Sequence, residues 1–304
     1  MPRIDAPMVT RTVPSRDGTE IAYHRIGTGP RTWLMPPAMG APLVAMKHLV
    51  ERFARDYTVV SWDMRGFYGS AAPRGPGGYD FDDHVDDMLA VIRAEGLKDF
   101  VLGGWSMGVQ LSLEYYRRAP ADVRALVLIA GPFERALTGV FPVPLPGADA
   151  FVGGAVATGR AIAPGLNFLS KRLLGAKGAA KALQKVGVLA ANAGFFAEVL
   201  EDFHRIDWGR YLEVMKGLHA HSAADVLERV RVPTLITSGT HDIMTPVRVA
   251  RRMHEAIAGS ELVLIERATH YLPAEFPDQL NDAIERFLDR VERATAPAGD
   301  GASA

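Results

Sequence analysis

The stretch Phe100-Val101-Leu102-Gly103-Gly104-Trp105-Ser106-Met107-Gly108, followed by the helix-like run Val109 to Arg118, carries the architecture of this chain. An apolar strand stops, a serine occupies the turn, and helical spacing begins at once. So sharp a turn brings backbone against backbone, and the positions two before and two after the serine are both glycine. That context lifts Ser106 to the carboxyl end of a strand, where a nucleophile would sit.

On either side the pattern alternates. Thr19 to Ile26 switches between apolar and polar residues, and Thr32 to Met35 is a short apolar run after Gly27-Thr28-Gly29-Pro30, which predicts antiparallel strands joined by tight turns. Leu43 to Ala54 reads as a helix, Tyr57 to Trp62 as a strand and Phe81 to Glu95 as a helix. Val123 to Ala130 is a strand too apolar for an exposed edge. After Gly131-Pro132 no strand pattern survives as far as Asp225, and alanine, glycine and leucine dominate. The alternation resumes with a strand over Pro233 to Thr237, a helix over Pro246 to Ala258, a strand over Glu261 to Ile265 and an amphipathic helix over Asp278 to Val291. The expectation is an α/β fold: a mostly parallel central sheet flanked by helices, with an inserted helical cap. Residues 1–131 and 227–293 would form the core, 132–226 the cap, and 294–304, rich in Ala, Gly and Pro, a disordered tail.

Composition narrows the functional classes. A chain of 304 residues, 48% hydrophobic, can bury one large core or a core plus a cap. A formal net charge of −1 lacks the basic excess that displaces counterions from nucleic acid, so no nucleic-acid partner is expected. Without cysteine there is no disulfide framework, thiolate nucleophile or Cys-based metal site. Met1 to Pro14 has no continuous apolar segment, and no stretch reaches the roughly 18 apolar residues that span a bilayer. A cytoplasmic protein, monomeric or homodimeric, is the simplest expectation.

Two further loops complete a set. Ser238-Gly239-Thr240-His241-Asp242-Ile243-Met244-Thr245-Pro246 follows a buried strand, and Ala268-Thr269-His270-Tyr271-Leu272-Pro273 follows the last one. Together with the serine turn and Ser61-Trp62-Asp63-Met64-Arg65-Gly66-Phe67-Tyr68-Gly69-Ser70, which is similar to a D-x-R-G-x-G-x-S turn, they make residues 11 to 292 resemble the α/β-hydrolase fold family. The likeness is to its cap-bearing serine esterases and lipases in particular. The resemblance implies a triad in the order Ser106, Asp242, His270. Asp242 lies at the carboxyl end of a strand, where sites of parallel sheets form, although a loop aspartate there could also cap the helix near Pro246. His270 follows Thr269 where the family usually has glycine.

The other histidines are poorer bases. His241 adjoins Asp242, and neighbouring side chains point apart. His219 and His221 are spaced badly for one helix face, with no third metal ligand. His24, His48, His84, His204 and His254 read as ordinary polar or helix-face residues. Asp63 and Arg65 read as pins of their turn. The backbone N–H of Met107, at the positive end of a helix, would be one oxyanion donor. The second would come from Met35-Pro36-Pro37-Ala38-Met39-Gly40, which replaces the family's His-Gly pair. Pro36 and Pro37 cannot donate, and the resemblance implies Ala38, in the family's donor position, as the second donor. No cofactor or metal is expected.

Between Arg135 and Ala197 the basic residues Arg135, Arg160, Lys171, Arg172, Lys177, Lys181 and Lys185 face a single acid, Asp149. This suits a cap with an apolar underside and solvated lysines, or an amphipathic lid making transient contact with a lipid surface. Phe141, Phe151, Phe168, Leu169, Phe195, Phe196 and Trp208 are candidates to line a greasy pocket, with Trp105 and Met107 nearer the acyl side. The expected activity is hydrolysis of a small hydrophobic carboxylic ester through an acyl-enzyme on Ser106. The same triad would serve a thioesterase, a carbon–carbon bond hydrolase, an acyltransferase or a perhydrolase. Glu198, Glu201 and Asp202 keep an aminopeptidase open, and a ligand-binding receptor on this fold is the reading from another class.

Overall fold

The computed structural model describes residues 4–75, 77–136, 154, 163–174, 176 and 178–295. Eight strands form one sheet: β1 (Met8–Pro14), β2 (Glu20–Ile26), β3 (Arg31–Leu34), β4 (Tyr57–Trp62), β5 (Phe100–Leu102), β6 (Val123–Ile129), β7 (Thr234–Gly239) and β8 (Glu261–Ile265). Their spatial order is β1-β2-β4-β3-β5-β6-β7-β8. β2 runs antiparallel to β1 and β4, and every pairing from β4 through β8 is parallel.

Among the described residues the helices are α1 (Lys47–Phe53), α2 (Phe81–Glu95), α3 (Met107–Arg118), α4 (163–174), α5 (Ala179–Lys185), α6 (Ala193–Phe203), α7 (Trp208–Ala220), α8 (Val247–Ala256), the short α9 (Leu272–Glu275) and α10 (Pro277–Thr295). Successive strand residues point to opposite faces, and two cores follow. Val60, Leu102, Leu126 and Ile236 pack under Val85 and Met88 of α2, Leu111 of α3 and Met253 of α8. Val59, Val101, Val127 and Leu235 pack under Leu49 and Phe53 of α1 and Ile284 and Phe287 of α10. Because both faces are covered, the inner strands are continuous apolar runs, as the sequence reads.

The beginning of the chain differs from expectation. β3 is not an antiparallel partner of β2; it lies beyond β4 and pairs in parallel with β4 and β5. The Gly27-Thr28-Gly29-Pro30 link is no hairpin turn. A Cβ at Gly27 would lie 2.3 Å from the Ala54 carbonyl oxygen, and one at Gly29 would lie 2.1 Å from Tyr57 N. The link thus passes against the entry to β4, leaving room for β4 between β2 and β3. Strand β1 escaped the reading because it is an exposed edge with no buried face to set an alternation. The expected helix over Leu43 to Ala54 is a 3₁₀ turn (Leu43–Met46) running into α1.

Between β6 and β7 the described residues include α4 to α7, and Glu134 forms an isolated bridge with Ser222. Helix α10 continues through Thr295, and 296–304 lie outside the described residues. Among the described residues no helix is long and apolar enough to cross a membrane.

Candidate active site

Ser106 sits between β5 and α3 with φ 56° and ψ −119°, a backbone shape that L residues seldom adopt. Both ends of the turn are tied: Ser106 N donates to Ile129 O (2.9 Å), and Val109 N donates to Ser106 O (3.0 Å). A Cβ on Gly104 or Gly108 would lie 2.4 or 2.6 Å from the same atom, the carbonyl oxygen of Pro36. The two glycines therefore let the loop after β3 lie directly on the elbow. Two more serve the same end without having been singled out in the sequence. A Cβ at Gly103 would lie 2.0 Å from Val127 O, and one at Gly131 would lie 2.2 Å from Ser106 O. Their only signal was their place at strand ends.

The turn after β7 and the loop after β8 bring the other two side chains to this point. His270 Nε2 is 2.9 Å from Ser106 Oγ, and His270 Nδ1 is 2.9 Å from Asp242 Oδ2. Asp242 and His270 are buried, while the serine is partly open. The Asp242 carboxylate also accepts from Met244 N (2.8 Å), Thr245 N (2.8 Å) and Thr245 Oγ1 (2.7 Å). The two readings of this aspartate are thus compatible: one oxygen closes the 242–245 turn, and the other faces the imidazole. Helix α8 itself starts at Val247 after Pro246 without a side-chain cap.

The histidine loop is held by groups the sequence reading did not find. Glu275, buried in α9, accepts from Thr269 N (2.9 Å) and Thr269 Oγ1 (2.9 Å). The same carboxylate accepts from Ala190 N (2.7 Å), and Asn192 Nδ2 donates to Ala274 O (2.8 Å), fastening the α5–α6 link to this loop. Thr269 in place of glycine is thereby explained, since its hydroxyl has a buried acceptor. The available signal was an acid five residues past the histidine. Trp105 Nε1 donates to His270 O (2.9 Å), with the indole and imidazole centroids 5.5 Å apart. The indole is buried, anchors the loop, and lines a small cavity with Met35, Pro36, Pro37 and Ala38.

The loop 35–40 lies against the serine turn through the Pro36 carbonyl. Met107 opens α3, so its N–H has no acceptor inside the helix. Among the described residues no hydrogen bond engages the N–H of Ala38. The Met107 side chain itself is fully buried in the core beneath α3.

The proposed pocket aromatics separate. Phe196 packs on Tyr271 (4.9 Å between centroids) and Phe195 on the His48 ring (4.3 Å), both buried in the second core. Trp208 packs on Phe203 and Tyr211. Phe168 is 68% exposed and Leu169 49%, so α4 turns them outward while Ala163 and Ser170 face in. Phe141 and Phe151 lie outside the described residues. Tyr271, beside His270, has its phenol pKa raised by burial first and by Asp242 and Glu275 second, so it stays protonated.

The 63–70 turn is braced as expected of a structural element. Arg65 is fully buried and makes a two-pronged pair with Asp87 (2.8 and 2.5 Å), with further bonds to Asp17, Gly78 O and Ser15. Burial works against the guanidinium charge, but Asp87, with Asp17 and Asp83, outweighs it and raises the Arg65 pKa. The Asp87 carboxyl is raised by burial, with Arg65 opposing. Asp63 accepts from Gly69 N (2.9 Å), and its carbonyl accepts from Ser70 Oγ (2.6 Å). Of the rival histidines, His241 is exposed, His221 contacts Glu114 (3.0 Å) and His24 contacts Thr10 (2.9 Å).

Residues 38–277 match the sequence model of the alpha/beta hydrolase fold. The mouse protein "Serine hydrolase BPHL" is 25% identical over 283 residues, spanning 92% of this chain and 87% of its own. Among solved structures, a thermophilic esterase from Thermogutta terrifontis superposes with a TM-score of 0.72 at 22% identity, covering 94% of this chain and 99% of its own. An esterase from Exiguobacterium antarcticum superposes with a TM-score of 0.71 at 23% identity, covering 93% and 100%. At these identities the structural likenesses speak for the fold.

Proposed function

Given that the chain belongs to the α/β-hydrolase fold family, we propose that it is a serine hydrolase cleaving a hydrophobic carboxylic ester through an acyl-enzyme on Ser106. Supporting this above all is the contact from Ser106 Oγ through the His270 ring to Asp242 Oδ2, with a 2.9 Å hydrogen bond at each ring nitrogen. A serine hydroxyl is a weak nucleophile until a base takes its proton, and a buried carboxylate fixes the tautomer that leaves Nε2 free to accept it.

Ser106 Oγ attacks the ester carbonyl carbon as His270 takes its proton, and the carbonyl electron pair moves onto oxygen. The oxyanion faces the N–H groups of Met107 and Ala38. Collapse re-forms the carbonyl and expels the alcohol, which receives the proton from His270 Nε2. Water then repeats the sequence on the acyl-enzyme and releases the acid. Trp105 and Tyr271 pack against the imidazole, Phe196 backs Tyr271, and Trp105 lines a small cavity with Pro36 and Ala38, which supports an uncharged acyl group.

A fluorophosphonate probe should label the wild type and leave Ser106→Ala unlabelled, and nitrophenyl esters should be turned over better as their acyl chains lengthen from acetyl to octanoyl. Unlabelled folded wild type would remove the serine nucleophile. Equal or better turnover of charged, polar esters would remove the hydrophobic substrate class.

A further inference from the structure

Tyr68 occupies the second glycine position of the D-x-R-G-x-G-x-S pattern, and the backbone there keeps a glycine-like shape, with φ +48°. A bulky residue persists in the left-handed region only where its surroundings hold it. Here the hold is visible. The Tyr68 hydroxyl donates to the carbonyl oxygen of Gly40 at 2.7 Å, and the Gly40 amide donates to Met64 Sδ at 3.3 Å. Both polar groups of Gly40 are therefore tied to the 63–70 turn. Gly40 has its own positive φ of 62°, with the Tyr211 ring 2.9 Å from where a Cβ would stand.

Gly40 ends the loop that carries Ala38. At the loop's other end the Pro36 carbonyl lies on Gly104 and Gly108 of the serine turn. Neither Pro36 nor Pro37 has an N–H with which to anchor this stretch. Inside the loop, Ala41 N donates to Ala38 O (3.2 Å). The orientation of the Ala38 peptide thus depends on a contact at Pro36 and a hydrogen-bonded anchor at Gly40. We propose that Tyr68 is a positioning residue which, through its hydrogen bond to Gly40, holds the loop 36–40 so that the Ala38 N–H points at the oxyanion.

The catalytic half of this statement rests on the serine-hydrolase reading; the hold on the loop does not. Tyr68 is 38% exposed, and an ordinary phenol already keeps its proton up to about pH 10, so the hydroxyl remains a donor throughout the working pH range.

Tyr68→Phe removes only the hydroxyl, keeping the ring and the backbone shape. In the full-length protein, hydrogen–deuterium exchange over residues 38–41 should quicken about tenfold while the thermal midpoint stays within about 2 °C. On nitrophenyl butyrate kcat should fall about tenfold with KM unchanged. That is less than the roughly 10²- to 10³-fold lost when an oxyanion donor is deleted outright. Inhibition by a trifluoromethyl ketone, which forms the tetrahedral adduct, should weaken by the same factor as kcat. Tyr68→Gly, which relieves the backbone but lacks the hydroxyl, should show the same kcat loss. Unchanged exchange over 38–41 in Tyr68→Phe overturns the hold on the loop, and quickened exchange with wild-type kcat and inhibitor affinity overturns the link to the oxyanion. Ester turnover that survives Ser106→Ala would instead sink the serine-hydrolase reading, leaving the exchange result to judge Tyr68 alone.

Discussion

Glu275 lies outside the triad yet is expected to govern both the stability of the histidine loop and the coupling of that loop to the helices after β6. Its buried carboxylate receives three hydrogen bonds. Oε1 accepts from Thr269 Oγ1 (2.9 Å) and Ala190 N (2.7 Å), and Oε2 accepts from Thr269 N (2.9 Å). In Glu275→Ala the threonine hydroxyl can rotate to another acceptor, but the two amides are left without one. At about 1–3 kcal/mol for each buried unsatisfied donor, partly offset by no longer burying a carboxylate, the net loss should be about 3–4 kcal/mol. Glu275→Gln keeps an oxygen for two of the donors and turns its NH₂ toward the third, so it should lose about 2 kcal/mol. Thr269→Val removes the hydroxyl donor to Glu275 and the long acceptor of Tyr271 N (3.3 Å), and should lose about 1–1.5 kcal/mol. Urea unfolding followed by tryptophan fluorescence gives all three values, and esterase rates should fall in the same order as His270 loosens. A loss under about 1 kcal/mol in Glu275→Ala, or a larger loss in Thr269→Val than in Glu275→Ala, would refute the assignment of these bonds as buried and cooperative.

Gly104→Ala would place a methyl 2.4 Å from the Pro36 carbonyl oxygen, a backbone atom that cannot step aside. The loss should be about 1–3 kcal/mol and should come with reduced turnover; an unchanged thermal midpoint would contradict the contact. His84 is fully buried, and burial first, then the Arg65 charge, pushes its pKa from 6.5 down to about 3. The unfolded chain therefore binds a proton below about pH 6.5 that the folded one refuses. Stability from this group is complete above that pH and declines toward pH 3, and the urea midpoint of His84→Leu should decline less steeply over the interval than that of the wild type. Helix α4 presents Phe168, Leu169 and Leu173 outward next to Lys171 and Arg172, and residues 163–197 include no acid. Co-sedimentation should accordingly favour phosphatidylglycerol vesicles over phosphatidylcholine ones, with salt weakening the difference. Equal or absent binding would count against lipid contact.

Much of this architecture was legible in the chain because it follows from local rules. Inner strands buried on two faces must be apolar throughout, which marked β4, β5, β6 and β7. Helix α2 showed in the helical spacing from Phe81 to Glu95; its capping by Asp80 and Asp83 and its end at Gly96, with φ 60°, are what the structure adds. Gly104 and Gly108 flank the serine because no side chain fits there, and glycine is visible as a letter. Strand β1 and the placement of β3 were not legible. An exposed edge carries no periodicity, and the Gly27 to Pro30 link looks the same whether it makes a hairpin or slips past β4.

The sequence by itself determined that Ser106, Asp242 and His270 each follow a strand of a parallel sheet, so that all three would reach the same rim. It also determined that Ala38 is the first residue after two prolines with a donor to offer. Only the tertiary structure decided what holds those groups in register: Glu275 on Thr269, Trp105 on the His270 carbonyl, Tyr68 on Gly40 and the Pro36 carbonyl over two glycines. These contacts join residues far apart in the chain or use ordinary side chains that would be equally at home on a surface. A hydrogen bond of that kind leaves no periodicity or spacing to read, because it is specified by the distance that folding closes and not by the residues that make it.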